Sequence, residues 1–183
     1  MLKAAGIRFD ARPARIDEES IRLSLEKEGA SGRDLADLLA ELKAAKLSDK
    51  FPSHMVLGSD QVLDCGGKIF SKAPDLAALA AQLRELRGKT HRLISAAVIV
   101  EAGRPVWRHV SEARLTMRDF SDEFLEDYLS RNGEALLSSV GGYQIEAEGV
   151  RLFSQIQGDH FTILGMPLVP LLNYLTVRGV IAA

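Results

Sequence analysis

Hydrophobic and polar positions switch between two periods along this chain, and the switches mark out its elements. Leu2, Ala4 and Ala5 end at Gly6 as the last turn of a helix does, and Ile7-Arg8-Phe9 then alternates as a short strand would. Asp17-Glu18-Glu19 leads into Ile21, Leu23 and Leu25. Ser31-Gly32-Arg33-Asp34 has the form of a capping box, with Asp in place of Glu, ahead of a helix carrying Leu35, Leu38, Leu39 and Leu42 and ending near Ser48. Strands are expected at about 55–58 and 61–64, with the apolar run breaking at Gly58, and Gly66-Gly67 turns the chain into Lys68-Ile69-Phe70. Asp75, after Pro74, caps a predicted helix with Leu76, Leu79, Leu83 and Leu86 on one face, closed by Gly88; that stripe should pack on the sheet.

Two long strands are predicted from His91 to Glu101 and from Val106 to Met117, joined by Ala102-Gly103-Arg104 as an antiparallel ribbon. Ser121 caps a helix carrying Phe124, Leu125, Tyr128 and Leu129, ended by Asn132-Gly133. A polar glycine-containing loop, a strand near 151–157, a hairpin turn at Gly158-Asp159 and a final helix from Pro167 follow. No internal repeat, heptad, low-complexity tract or linker stands out, so the order of elements predicts one mixed α/β (α+β) domain over residues 1–183.

Composition removes several function classes. With 46% hydrophobic content in 183 residues the chain can bury a substantial core. Lys plus Arg 23 against Asp plus Glu 25 leaves no basic field for a nucleic-acid polymer, so any nucleotide partner must be gripped locally. The lone Cys65 cannot form an intrachain disulfide, and no Cys/His cluster has zinc-ligand spacing, which fits a reducing, cytoplasmic setting. The longest apolar run, near Met166 to Leu172, is short and interrupted by proline; a soluble protein with no membrane partner is expected.

Candidate chemistry gathers in Met55–Leu63 and Ile69–Asp75. An apolar run that presents Asp60, followed by Lys72 ahead of a helix, sets a carboxylate and a cation at one strand edge, a pairing suited to magnesium and phosphate. Asp60 is costly to bury unless it meets a metal, a water or a cation; against this, an Asp after Gly-Ser is often a turn residue. Glu18 and its acidic neighbours can be explained by the positive end of the following helix, and Lys43 by a solvated helix face. Cys65 has no histidine near it in sequence and reads as a small buried residue. His54, His91, His109 and His160 are too scattered for a ligand motif, and Trp107 reads as packed within its strand.

A series of blocks then carries a resemblance. They are Leu2-Lys3-Ala4-Ala5-Gly6-Ile7-Arg8-Phe9, Ile16-Asp17-Glu18, Leu39-Ala40-Glu41-Leu42-Lys43-Ala44, Val56-Leu57-Gly58-Ser59-Asp60-Gln61-Val62, Phe70-Ser71-Lys72-Ala73-Pro74, Gly142-Tyr143-Gln144-Ile145-Glu146, and Ile156-Gln157-Gly158-Asp159 with Leu164-Gly165-Met166-Pro167-Leu168. In this order, along almost the whole chain, they resemble the Maf family of nucleoside triphosphate pyrophosphatases. The resemblance implies an elongated mixed β-sheet flanked by helices, with a central cleft between two lobes for the nucleotide. It implies hydrolysis between the α- and β-phosphates to a nucleoside monophosphate and pyrophosphate, with a divalent cation, Mg2+ or Mn2+, and a homodimer, which the family often forms.

It also implies roles. Asp60 matches the catalytic acid, holding the metal and orienting or deprotonating the attacking water, and Glu18 matches the family's acidic metal-site residue. Lys43 and Lys72 match lysines on the triphosphate, although here Ala73 is inserted between Lys72 and Pro74. Gln61 and Glu146 match positions linked to choice of base, where many relatives carry Thr and Gln. A carboxylate at 146 cannot donate hydrogen bonds, so it favours a donor-rich base edge or a cationic base. Maf proteins normally begin with a strand and a Ser-x-x-Arg turn that grips phosphate, whereas Met1 here falls inside the helix that follows. This allows two readings: a start at an internal methionine of a complete enzyme, or a short member acting as a nucleotide-binding or regulatory protein linked to septum formation and cell division.

Overall fold

The computed structural model of the protein describes residues 1–182. Five strands, β1 (Val56–Cys65), β2 (Lys68–Phe70), β3 (Thr90–Glu101), β4 (Arg104–Met117) and β5 (Phe153–Gln157), form one sheet in the order β2-β1-β3-β4-β5. The helices are α1 (Glu18–Lys27), α2 (Gly32–Ser48), α3 (Leu76–Leu86), α4 (Asp122–Asn132), α5 (His160–Ile163) and α6 (Leu168–Val177), with 3-10 segments at Gly133–Ser138, Val140–Gly142 and Glu148–Leu152. The mixed α/β class holds. The sheet itself is antiparallel: Cys65 faces Lys68 across the β1–β2 hairpin, Leu115 faces Ile156 across β4–β5, and the β3–β4 link is only two residues long. β3 lies at its centre, which is why Leu93, Ile94 and Ala96 to Val100 form an almost unbroken buried run.

The predicted caps form as expected. Ser31 and Asp34 make the full reciprocal capping box, and Asp75 and Ser121 cap α3 and α4; Asp17, not among the predicted caps, also accepts from the Ser20 amide at the start of α1. Ile7 N bonds Leu2 O at 3.0 Å and Gly6 N bonds Lys3 O at 3.1 Å, with Gly6 at φ 75°, the paired bonds that end a helical turn.

Four expectations change. Ile7-Arg8-Phe9 forms no strand; the sheet's edges are β2 and β5, and neither lends a ladder to an isolated alternating tripeptide. The two short strands around Gly58 are one ten-residue β1. Gly58 does not break it but admits α2: a Cβ there would lie 2.1 Å from Ala40 O and 2.8 Å from Ala44 N. Gly158-Asp159 is not a hairpin turn, because Asp159 accepts from the Thr162 amide at 2.7 Å and caps α5. The polar loop after α4 is threaded with 3-10 turns, whose three-residue period leaves little trace in the hydrophobic pattern.

The chain forms two compact units, the first comprising Met1–Gln61, Ile94–Glu112 and the residues from Asp159 on, the second Val62–Leu93 and Ala113–Gly158. In the first, Ile99, Leu171 and Leu175 pack with Leu57, Trp107 and Tyr174, and α2 buries Leu35, Ala36, Leu39, Ala40 and Ala44. In the second, Leu63, Leu79, Leu83, Leu86, Leu125 and Tyr128 are buried. His91, read as one of several scattered histidines, is wholly buried there, 2.6 Å from the Tyr143 hydroxyl and beside the Phe153 ring.

Burial pushes the His91 imidazole down to about 4, so it is neutral in the folded protein. The unfolded histidine titrates near 6.5. Between those values the unfolded chain binds the extra proton, so stability falls as pH falls across that window, by on the order of 3 kcal/mol. Urea midpoints measured from pH 7 to pH 4 should show this loss, and His91→Gln should lack it. An identical limb in the variant would assign it to other groups.

Candidate functional site

Side chains alternate along β1, so Gly58 and Asp60 face one way while Ser59 and Gln61 face the other. The bare Cα of Gly58 lets α2 lie against the strand at Ala40 and Ala44, and Lys43, one residue before Ala44, is thereby carried over Asp60. The Lys43 Nζ donates to Asp60 Oδ1 at 2.6 Å and stands 2.8 Å from Glu18 Oε1. Asp60 is 10% exposed and Glu18 54%. Glu18 is the first residue of α1, so the acidic run serves the helix N-terminus, with Asp17 as the cap, and also delivers a carboxylate to Lys43.

Burial draws the Lys43 ammonium pKa down, but the Asp60 charge and the hydrogen bonds that Lys43 donates to Asp60 and Glu18 outweigh it, leaving the group above its ordinary value. Lys43 is therefore a fixed cation between two carboxylates from different elements, not the solvated face residue its helical position alone suggests.

This donor set fits a hard cation. Two carboxylates that reach the same ammonium converge on one point, and both are oxygen donors. Among the described residues no group of three or more His, Cys, Asp or Glu is placed so that it could hold a metal ion, so a magnesium or manganese ion here would complete its shell with water and substrate oxygens, as Mg2+ commonly does.

The opposite face of β1 holds a polar cluster that the sequence reading missed. Gln61 Nε2 lies 3.0 Å from each of Ser95 Oγ, Thr162 O and Ile163 O, while Ser59 Oγ donates to Ala96 O and Gly165 O. Ser95 and Thr162 are buried, Ser95 Oγ donates to Thr162 O at 2.7 Å, and Ser111 Oγ meets Thr162 Oγ1 at 2.8 Å. The Gln61 amide is thus engaged on the face away from Lys43. The Ser59 and Gln61 alternation was visible in the sequence; their partners, about a hundred residues away, were not.

Lys72 and Glu146 belong to the second unit. Lys72 is exposed just before α3; Ala73, between it and Pro74, is tucked into the core at 6% exposure while Asp75 caps the helix. Glu146 is exposed in a turn closed by the Ala147 amide on Gln144 O at 3.2 Å. Cys65, expected to be buried, is only partly so, and desolvation raises its thiol pKa. No helix among the described residues is long and apolar enough to cross a membrane.

Several named proteins are similar to this chain along nearly its whole length. A protein of Ruegeria pomeroyi named nucleoside triphosphate pyrophosphatase is 52% identical over 181 residues, covering 99% of this chain and 91% of its own length. One of the same name from Roseobacter denitrificans is 54% identical over 179 residues, covering 98% of this chain and 90% of its own. A Rhizobium etli protein named 7-methyl-GTP pyrophosphatase is 49% identical over 181 residues, with coverage of 99% and 91%. The profile described as Maf-like protein matches residues 1–178, so the chain belongs to the Maf family.

Proposed function

We propose that this chain hydrolyses a nucleoside triphosphate between the α- and β-phosphates, releasing a nucleoside monophosphate and pyrophosphate with the aid of a divalent cation. The observation that carries this reading is the Lys43 ammonium held between the Asp60 and Glu18 carboxylates. The names of the relatives, nucleoside triphosphate pyrophosphatase and 7-methyl-GTP pyrophosphatase, support the reaction class.

Asp60 accepts the proton of the attacking water, or orients that water, as its oxygen bonds to the α-phosphorus and the bond to the β-phosphate oxygen breaks. Glu18 and Asp60 hold the cation; Mg2+ or Mn2+, when bound, supplies positive charge to the phosphate oxygens. Lys43 then has phosphate oxygens as partners in place of the two carboxylates, and Lys72, exposed on its turn, offers a second point charge. Glu146 selects the base. As a pure acceptor it pairs with a base that presents N–H donors, as guanine does, or carries a positive charge, as a 7-methylated guanine does.

The test is release of monophosphate and pyrophosphate from GTP, 7-methyl-GTP, UTP and dTTP, with and without Mg2+, on the wild type and Glu146→Gln. The expected preference is for the guanine nucleotides, lost on chelation of the metal. Glu146→Gln should weaken that preference by about tenfold, the discrimination that one mismatched hydrogen-bonding group commonly confers. Release without any divalent cation would remove the metal from the reaction. Thermal stabilisation by nucleotide without product would point to the regulatory reading.

A further inference from the structure

The turn that presents Glu146 is short, irregular and exposed, so its geometry depends on what anchors its two ends. On the upstream side, the Tyr128 hydroxyl donates to Gly142 O at 3.1 Å, and the buried Tyr143 ring meets His91 and packs edge-on to Phe153. On the downstream side stands Glu148, two residues past Glu146. Its carboxylate takes Arg131 Nη2 at 2.6 Å and Nε at 3.2 Å, Asn132 Nδ2 at 2.9 Å and Arg151 Nη1 at 2.7 Å. Arg131 is itself paired with Asp127, and Asn132 also donates to Tyr128 O. Gly149 then folds against the start of the same turn, where a Cβ would come within 2.6 Å of Gln144 O and 2.7 Å of Gln144 N.

We propose that Glu148 is a positioning residue for substrate selection: by gathering Arg131, Asn132 and Arg151, it fixes the downstream end of the Gln144–Ala147 turn and so the direction in which Glu146 meets the base. This rests on the reading of Glu146 given above. Exposed ion pairs contribute little to global stability, so the consequence of four donors converging on one carboxylate at the end of α4 is local order. The hydrogen bonds of Arg131, then of Asn132, hold the Glu148 carboxyl down to about 2, so the anchor stays ionised wherever the protein is folded and working. A turn fixed before the substrate arrives spends less binding energy on ordering, and the saving appears in substrate affinity.

The experiment uses the whole chain with Glu148→Gln, which keeps the side chain's size but removes its charge. Steady-state rates are measured on GTP, 7-methyl-GTP and UTP with Mg2+, alongside thermal midpoints. KM for the preferred triphosphate should rise about fivefold, with kcat changed less than about twofold and the preference over UTP shrinking in proportion, the size expected when one charge-assisted contact is lost. The thermal midpoint should stay near that of the wild type, and Glu148→Asp, which restores the charge, should recover part of the preference. Unchanged KM and preference would overturn the inference. So would an equal loss of kcat on every substrate together with a lowered midpoint, since that marks a structural role only. Glu146→Gln separates the two proposals: if it changes selectivity and Glu148→Gln does not, only the positioning role fails. If Glu146→Gln is silent while Glu148→Gln shifts preference, the turn selects through a neighbour of Glu146, and the reading of Glu146 is what fails.

Discussion

Asp60→Asn should lower kcat by at least about a thousandfold, the scale on which a general base and a metal carboxylate contribute when both functions rest on one residue. Asn has nearly the shape of Asp and keeps an oxygen to accept from Lys43, so the fold has no steric reason to change. The carboxylate is almost buried, at 10% exposure, and its replacement by an amide leaves Lys43 paired with one carboxylate, that of Glu18, which is more than half exposed. The variant should therefore still fold, with a modestly changed thermal midpoint, and still bind nucleotide, because the lysines remain. Calorimetry for binding, with a quenched assay for pyrophosphate, separates the two effects. Turnover within tenfold of the wild type would take Asp60 out of the chemistry.

Gly58→Ala should be among the most damaging single methyls added to this chain. In an ordinary strand position the change from Gly to Ala is favourable, because it narrows the unfolded ensemble. Here the added carbon would lie 2.1 Å from Ala40 O, 2.8 Å from Ala44 N and 3.0 Å from Ala44 Cβ. Two of these are backbone atoms in the middle of a helix, which no side-chain rotation can move. Helix α2 must therefore back away from β1, loosening Leu35, Ala36, Leu39, Ala40 and Ala44 from the core. The expected cost is about 1–3 kcal/mol or more, a thermal midpoint lowered by several degrees for a chain of this size. Because the same helix carries Lys43, activity should fall together with stability. A stable, fully active Gly58→Ala protein would show that α2 can reseat without disturbing the site.

Much of the fold was legible because its signals are local. Ser31, Asp75 and Ser121 each bond an amide three residues ahead, and Gly66-Gly67 turns with both residues at positive φ, which glycine adopts freely. The features that escaped are those whose partners lie far off. Gly58 has the composition of a strand break, and only the proximity of Ala40 and Ala44 shows that it is a seat for a helix. Gln61, beside Asp60, reads as a position linked to choice of base, yet its hydrogen bonds run to Ser95, Thr162 and Ile163.

By itself, then, the sequence determined the caps, the hairpins, the helix faces and the order of motifs along the chain, since these depend on contacts within a few residues or on patterns of period two and 3.6. The tertiary structure alone decided that Glu18, Lys43 and Asp60 meet at one point, that Gln61 is engaged on the opposite face of β1, and that Glu148 anchors the turn of Glu146. Each depends on which helix packs on which strand and at what separation. Charges and hydrogen bonds act over a few ångströms in space, whatever their distance along the chain.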